Sequence, residues 1–508
     1  MIDKLRNATG LDIYEQSVCD AGGVTYFLAR RGREKLLGHV ATPEAPRRPA
    51  WPCEDVDRLG RVDGRCVWLA ACNASGAARV RAALRWTAPK LLGLQTSVGL
   101  GDRLGLATPG HVAAMRRAGE GVAPIYAQQS IRELARTRRA PRDVIDTATW
   151  GVLQTGWRDG FGADADHLRK PEDIDRTVAA GFTFFTIDPG AGVNDAADAM
   201  NAAELTQAFD SLDLKPLAAS QNDLKGLYAD CEFALEGGDS IRMTGEAALR
   251  AAVKYARAIG HVAAMYRRLG EVIDRPFELE VSVDETDSPT TPAEHYFFAA
   301  ELKRLGVEWV SLAPRFVGRF EKGVDYIGDL DEFRGSFARH VAVMRTLGPY
   351  KLCIHSGSDK FSIYPVVAEL SGGLVHLKTA GTSYLEALRA VARIDPPLFR
   401  EIYDFARARY NEDRSSYHVS ADMANVPPAA ELDGDELAGR IDDFDTRQAL
   451  HVTFGSVLTA DNGTRFAAPV HAALETAEQT HYEALAAHLA RHIAPLARPY
   501  GRPYGRSG

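Results

Sequence analysis

Three histidines stand in or at the end of short apolar runs: His167 in GADADHL, His355 in KLCIHS and His376 in GLVHLKT. Imidazole suits Zn, Mn, Ni or Co. Three protein nitrogens on one such divalent cation leave positions open for substrate oxygens, as a catalytic metal requires. Taken singly, each histidine also reads as a hydrogen-bonded core residue. It is the three run ends together that point to a metal centre formed by His167, His355 and His376. Carboxylates accompany them. Asp166 precedes His167, so a metal on His167 would set Asp166 beside bound substrate as a proton carrier. Asp166 lies too far ahead of Pro171 to cap the helix expected there, and Asp164 stands two residues further back. Glu280, in the middle of FELEVSV, is costly to bury unless paired or used. Strand alternation puts Glu278, Glu280, Ser282 and Asp284 on one face. Glu280 and Asp284 are therefore expected to point inward, facing Asp166 as an acid/base partner.

Such side chains need strand ends to hold them. From about residue 90, apolar runs at 90–97, 123–129, 163–168, 182–188, 277–283, 308–314, 351–356 and 373–379 alternate with amphipathic stretches. That rhythm is the α/β class, with parallel strands and right-handed crossovers. Eight such units predict a (β/α)8 TIM-type barrel, whose chemistry gathers at the C-terminal strand ends. The rule selects Gln95, Gln129, Asp166, His167, Asp188, Glu280, Asp284, Arg315, His355, His376 and Lys378. The segment SVGLGDRLGLATPGH places Gly99, Gly101 and Gly105 after the first run. Its G-x-G-x-x-x-G spacing is looser than a dinucleotide fingerprint, and no acidic residue follows where a ribose ligand should stand. A tight turn, or backbone contact with a substrate oxygen, is the expectation.

Residues 1–88 read as a small N-terminal α+β lobe, with strands at 25–29, 35–40 and 66–72 and the Pro-rich turn ATPEAPRRPAWP. Residues 89–395 are the catalytic barrel, interrupted by a helical insertion at 189–276. Residues 396–508 form a C-terminal helical extension ending in ARPYGRPYGRSG, a composition expected to be disordered. The 508 residues carry 60 Lys and Arg against 68 Asp and Glu, and the net charge of −8 tells against non-specific nucleic-acid binding. No apolar stretch is long enough for a membrane span. Six cysteines in 508 residues are too sparse for a disulfide framework, and with no C-x-x-C pair among them no zinc knuckle is expected. With no secretory apolar region near the start, a cytoplasmic location is expected.

GADADHL and KLCIHSGSDKFSIYP together resemble the class II, metal-dependent ketose aldolases. In that family an Asp-His pair supplies proton carrier and metal ligand, and a His-Gly-Gly-Ser-Gly strand end supplies a second ligand. Asp166-His167 and His355-Ser356-Gly357-Ser358 are similar to these, and His376 is placed like the third ligand. Asp359 and Lys360 depart from the small loop that cradles phosphate there, which tells against a phosphorylated substrate. A closer resemblance is to the tagaturonate epimerase family. LGDRLGLATPGH, GADADHL, EVSVDET and HSGSDKFSIYP resemble its blocks, in the same order. The resemblance implies a metal-dependent barrel that interconverts D-tagaturonate and D-fructuronate in hexuronate catabolism. It implies His167 and His355 as metal ligands and Asp166 as proton acceptor, with His376 as third ligand and Glu280 as proton donor. Lys360, Lys378, Arg315 and Asp284 are expected to bind this small ketohexuronate, the two lysines as candidate clamps for its carboxylate. An aldolase or sugar isomerase on a related ketose acid is the neighbouring alternative, and a non-catalytic ligand-binding barrel the more distant one.

Overall fold

The computed structural model describes residues 1–42 and 56–497. The Pro-rich turn (from residue 43) and the RPYG-repeat tail lie outside the described residues. Strands β1 (Asp12–Ala21), β2 (Val24–Arg31), β3 (Glu34–Ala41), β4 (Val56–Val62) and β5 (Arg65–Ala71) form an antiparallel sheet in the order β1-β2-β3-β5-β4. This is the front lobe. Its second face packs Tyr26, Leu28 and Leu37 onto Leu153 of the helix Pro141–Thr155.

The barrel is closed by β6 (Ser97–Gly99), β7 (Ala123–Ser130), β8 (Gly162–Leu168), β9 (Phe184–Ile187), β12 (Glu278–Val283), β13 (Ser311–Pro314), β14 (Lys351–Ile354) and β15 (Val375–Lys378). Neighbouring strands are all parallel, and β15 pairs with β6 to complete the ring. The TIM-type architecture expected from the sequence is therefore present. The insertion holds helices, but also a hairpin of β10 (Cys231–Ala234) and β11 (Ser240–Met243), before the long helix Gly245–Val272. No helix among the described residues is long and apolar enough to cross a membrane.

The first barrel strand corrects the sequence expectation. It is Ser97–Gly99, not 90–97. Leu91 and Leu94 are exposed, and Gly93 has φ +60°. The backbone N–H groups of Leu92 and Gly93 donate to the Glu278 carboxylate, which is how this turn satisfies its donors at the barrel floor. Gln95 consequently lies at the opposite end from the site, with its amide donating to the Gly121 carbonyl. The Gly-rich segment is a tight turn. Both Asp102 oxygens accept backbone N–H groups, from Leu104, Gly105 and Ala107. A Cβ on Gly101 would lie 2.7 Å from Ala380 Cα.

The barrel interior is unusually polar. Ser97, Asp164, Thr186, Glu280, Ser311, Lys351, His376 and Lys378 are all buried. Such groups are tolerated only when paired, and they pair in tiers. The C-terminal extension closes over one side: the helix Glu478–Ile493 lies so near the helix Thr108–Ala118 that a Cβ on Gly110 would meet Leu485 at 2.6 Å.

Candidate functional site

The site begins with a defect in β8. Between Ala165 and Leu168 the pairing with β9 slips, and His167 takes the left-handed conformation at φ +53°. In a regular strand Asp164 and Asp166 would face inward and His167 outward. A bulge re-aims a side chain, and bulges of this kind gather next to functional sites. Here the bulge brings Asp166 and His167 to the mouth together, opposite His355, whose ring centroid is 4.4 Å from that of His167.

Each imidazole is oriented through Nδ1. Asp188 Oδ2 is 3.0 Å from His167 Nδ1, and it also accepts from Arg169 Nε at 2.7 Å. Ser282 Oγ is 3.0 Å from His355 Nδ1, with Asp284 Oδ1 at 3.6 Å and itself bonded to Ser282. The Nε2 of His355 is buried, 3.2 Å from Asp166 Oδ1, and makes no hydrogen bond. Asp166, His167 and His355 each offer a donor atom within 4.8 Å of the others. Two imidazoles, one of them with its buried Nε2 unbonded, and a carboxylate fit a divalent transition metal. The charge balance fits as well, since Asp164, Asp166 and Glu280 share one ammonium, that of Lys378, at 2.9, 2.8 and 2.7 Å.

These contacts set the protonation states. Burial works against the charged His167, but Asp166, Asp188 and Glu285 outweigh it and lift its pKa to about 10. Burial also opposes ionisation of Asp166 and Glu280, yet Lys378 overrides it. Asp166 is held well below the usual carboxylate range and Glu280 at about 2. Asp164 is pushed up to about 7, chiefly by burial, with Asp166 and Glu280 adding to it against Lys378.

His376 stands apart from this pair. Its Nδ1 lies 2.9 Å from Ser97 Oγ, its ring packs on Phe184, and burial lowers its pKa to about 3. The reason is strand period: His376 and Lys378 share the inward face, and Lys378, two residues nearer the mouth, occupies the place opposite Asp166. Glu280 does not reach the cavity either. Its carboxylate lies beneath Lys378, accepting from Ser311 Oγ at 2.5 Å. Lys360 also departs from expectation. Its Nζ is fully buried and donates to the carbonyls of Glu321, Val324 and Ser358, and burial lowers its pKa to about 7. It holds backbone and does not face the cavity. Gln128, the neighbour of Gln129, is the glutamine that reaches Asp166.

The mouth opens into two adjoining lobes of about 300 and 310 Å3, which share Glu285, Lys322, His355, Ser356 and Tyr417. Lys378 lines the first, and Asp284 and Arg315 line the second. Sequence reasoning missed Glu285, which accepts from Arg132 at 3.0 Å and Arg169 at 2.9 Å, although it adjoins the singled-out Asp284. It also missed Lys322, Tyr417 and His451, which lie in loops and in the helical extension.

Comparison with known proteins gives one consistent result. The family model described as tagaturonate epimerase matches residues 14–496. A tagaturonate/fructuronate epimerase of Thermotoga maritima is 40% identical over 480 residues, 94% of this chain and 95% of that protein. The crystal structure of a fructuronate-tagaturonate epimerase from Cohnella laeviribosi superposes with a TM-score of 0.89 at 33% identity, covering 97% of this chain and 98% of that one. A glycerol complex of the Cohnella laeviribosi protein matches equally well.

Proposed function

The chain belongs to the tagaturonate epimerase family, and we propose that it interconverts D-tagaturonate and D-fructuronate by breaking and remaking the C3–C4 bond. The two ketohexuronates differ at C4, which is not α to the C2 ketone, so enolisation alone does not invert it. The observation that carries the reading is the meeting of Asp166, His167 and His355 on the bulged end of β8, with a proton carrier and metal donors side by side.

A divalent cation (Mn, Ni, Co or Zn) held by His167 and His355, beside Asp166, would supply Lewis acidity to the carbonyl end of the ketose. The remaining roles belong to the protein. Asp166 takes the C4 hydroxyl proton as the C3–C4 electron pair passes into the three-carbon enediolate and C4 becomes an aldehyde. Lys378 holds Asp166 Oδ1, leaving Oδ2 with only the distant Gln128 amide at 3.4 Å. Asp188 and Ser282 fix the two imidazoles through Nδ1. Glu280, with Asp164, holds Lys378 in place and acts through it. The aldehyde turns within the cavity, recombines on its other face, and Asp166 returns the proton. Asp284 and Arg315 line the outer lobe.

The test is isotopic. Cleavage of C3–C4 leaves the C4 hydrogen on the aldehyde, so tagaturonate epimerised in heavy water gains no deuterium at C4. Dihydroxyacetone and tartronate semialdehyde should be trappable in trace amounts. One solvent deuterium at C4 per turnover would instead establish direct deprotonation there, and the bond-cleavage account would fall.

A further inference from the structure

We propose that Lys322 binds the C6 carboxylate of the substrate and so selects uronates over neutral ketoses; this rests on the ketohexuronate reading above. The charges of the cavity wall lead to it. Arg103 is paired with Glu133, Arg132 with Glu285, and Arg169 with Asp188 and Glu285, while Lys378 serves three carboxylates. Among the described residues no carboxylate lies within ion-pair distance of Lys322. Its Nζ donates to the neutral hydroxyl of Ser356 at 2.7 Å. That bond sets the ammonium beside His355, on the wall common to both lobes. Arg315 also lacks a carboxylate partner but lines only the outer lobe, and Lys170 is exposed at the rim.

A second observation is the rigidity of the loop that carries it. Lys322 lies between β13 and the helix Leu330–Leu347, in a segment without regular structure of its own beyond the Arg319–Ile327 bridge. Yet the backbone on either side of it is held by buried cations. Lys360 Nζ binds the carbonyls of Glu321 and Val324, and Arg447 Nε binds the carbonyl of Gly323 at 2.7 Å. The Glu321 side chain is fixed in turn by Ser420 and Gln448. Two buried cations binding three carbonyls, those of Glu321, Gly323 and Val324, around an ammonium with no carboxylate in ion-pair contact describe a preorganised anion site. A carboxylate there would receive a charge-assisted hydrogen bond from a group whose position is already fixed.

The experiment compares tagaturonate with neutral tagatose on wild type, Lys322→Met, Lys322→Arg and Arg315→Met. A charge-assisted bond lost on one substrate alone should lower kcat/KM for tagaturonate roughly ten- to a hundredfold in Lys322→Met, with far less effect on tagatose. Lys322→Arg should restore part of the difference. Glycerate, which carries the carboxylate end, should inhibit the wild type more strongly than glycerol, and this preference should vanish in Lys322→Met or, if that variant does not fold, in Lys322→Gln. Equal losses on both substrates, or discrimination that follows Arg315→Met instead, overturn the assignment. A wild type that turns over neither tagaturonate nor fructuronate would defeat the ketohexuronate reading itself, whereas an active wild type with an indifferent Lys322→Met defeats only the clamp.

Discussion

Replacing Arg447 by methionine should uncouple the C-terminal extension from the loop that follows His355. Asp359 is buried in that loop at φ +61°, and its Oδ1 lies 3.0 Å from Arg447 Nη2 and 2.6 Å from His488 Nε2. Its backbone N–H donates to His492 Nε2 at 2.9 Å. Glu386 lies 3.6 Å from Arg447 and keeps Arg389 at 2.7 Å. Asp359, His488 and His492 have the ligand types of a metal site, but the Arg447 guanidinium already sits on the carboxylate. Arg447→Met therefore leaves the buried Asp359 carboxylate without its guanidinium partner, facing only the imidazoles of His488 and His492. Removing one partner of a buried pair costs about 3–5 kcal/mol, and the bond to the Gly323 carbonyl adds to the loss. The sign of the pH dependence follows. Burial disfavours the Asp359 carboxylate, but Arg447 and the two histidines hold it well below its usual pKa. Its contribution is thus present above the unfolded pKa and is lost as pH falls through the folded one. In the variant Asp359 takes up a proton at higher pH, so the penalty shrinks on acidification. Urea midpoints followed by tryptophan fluorescence at pH 7.5 and 5 measure this, and Arg447→Met/Asp359→Asn should be more stable than Arg447→Met alone. A loss below about 1 kcal/mol, the range of exposed pairs, together with a double variant no better than the single, would refute the reasoning.

Metal content gives a second check: purified His167→Ala and His355→Ala should each lose bound divalent cation, while His376→Ala, whose ring is tied to Ser97, should retain it. Metal lost from His376→Ala and kept in His355→Ala would reverse the assignment. Stability should also fall on mild acidification. His111, His340 and His481 are buried with pKa values lowered to about 4, and His492 to about 3, in each case by burial first. Unfolded, each titrates near 6.5, so the unfolded chain binds more protons between about pH 6.5 and 4, and every such histidine removes up to about 3 kcal/mol across that window. A urea midpoint that stays level from pH 7.5 to 5 would contradict this.

The barrel was legible because its strands are short apolar runs between amphipathic helices, a pattern that needs no partner to be recognised. The exception, β6, shows what the pattern omits. Leu91 and Leu94 look like strand residues, but the donors of that segment are satisfied by Glu278, nearly two hundred residues away, and no local signal records it. At the site, residue types were legible and depth was not. Strand alternation places His376 on the inward face correctly, yet only the closed barrel decides which tier meets the mouth, and there Lys378 stands in front of it. Glu280 was found by the cost of burying it, and its partners turn out to be Lys378 and Ser311.

Lys360 marks the limit most clearly. Its place five residues after His355 invited a contact with substrate, but its ammonium is spent on three carbonyls, two of them in the loop of Lys322. Arg447 joins the same two segments from the other side, binding Gly323 in one and Asp359 in the other. Tyr417 and His451, from the same extension, reach the cavity wall directly. The helices after the barrel are thus part of how the site is built. They fix the loop after β13 and the loop after β14 against each other, and these loops carry Lys322 and Ser356, the pair on which the carboxylate end of the substrate would be read.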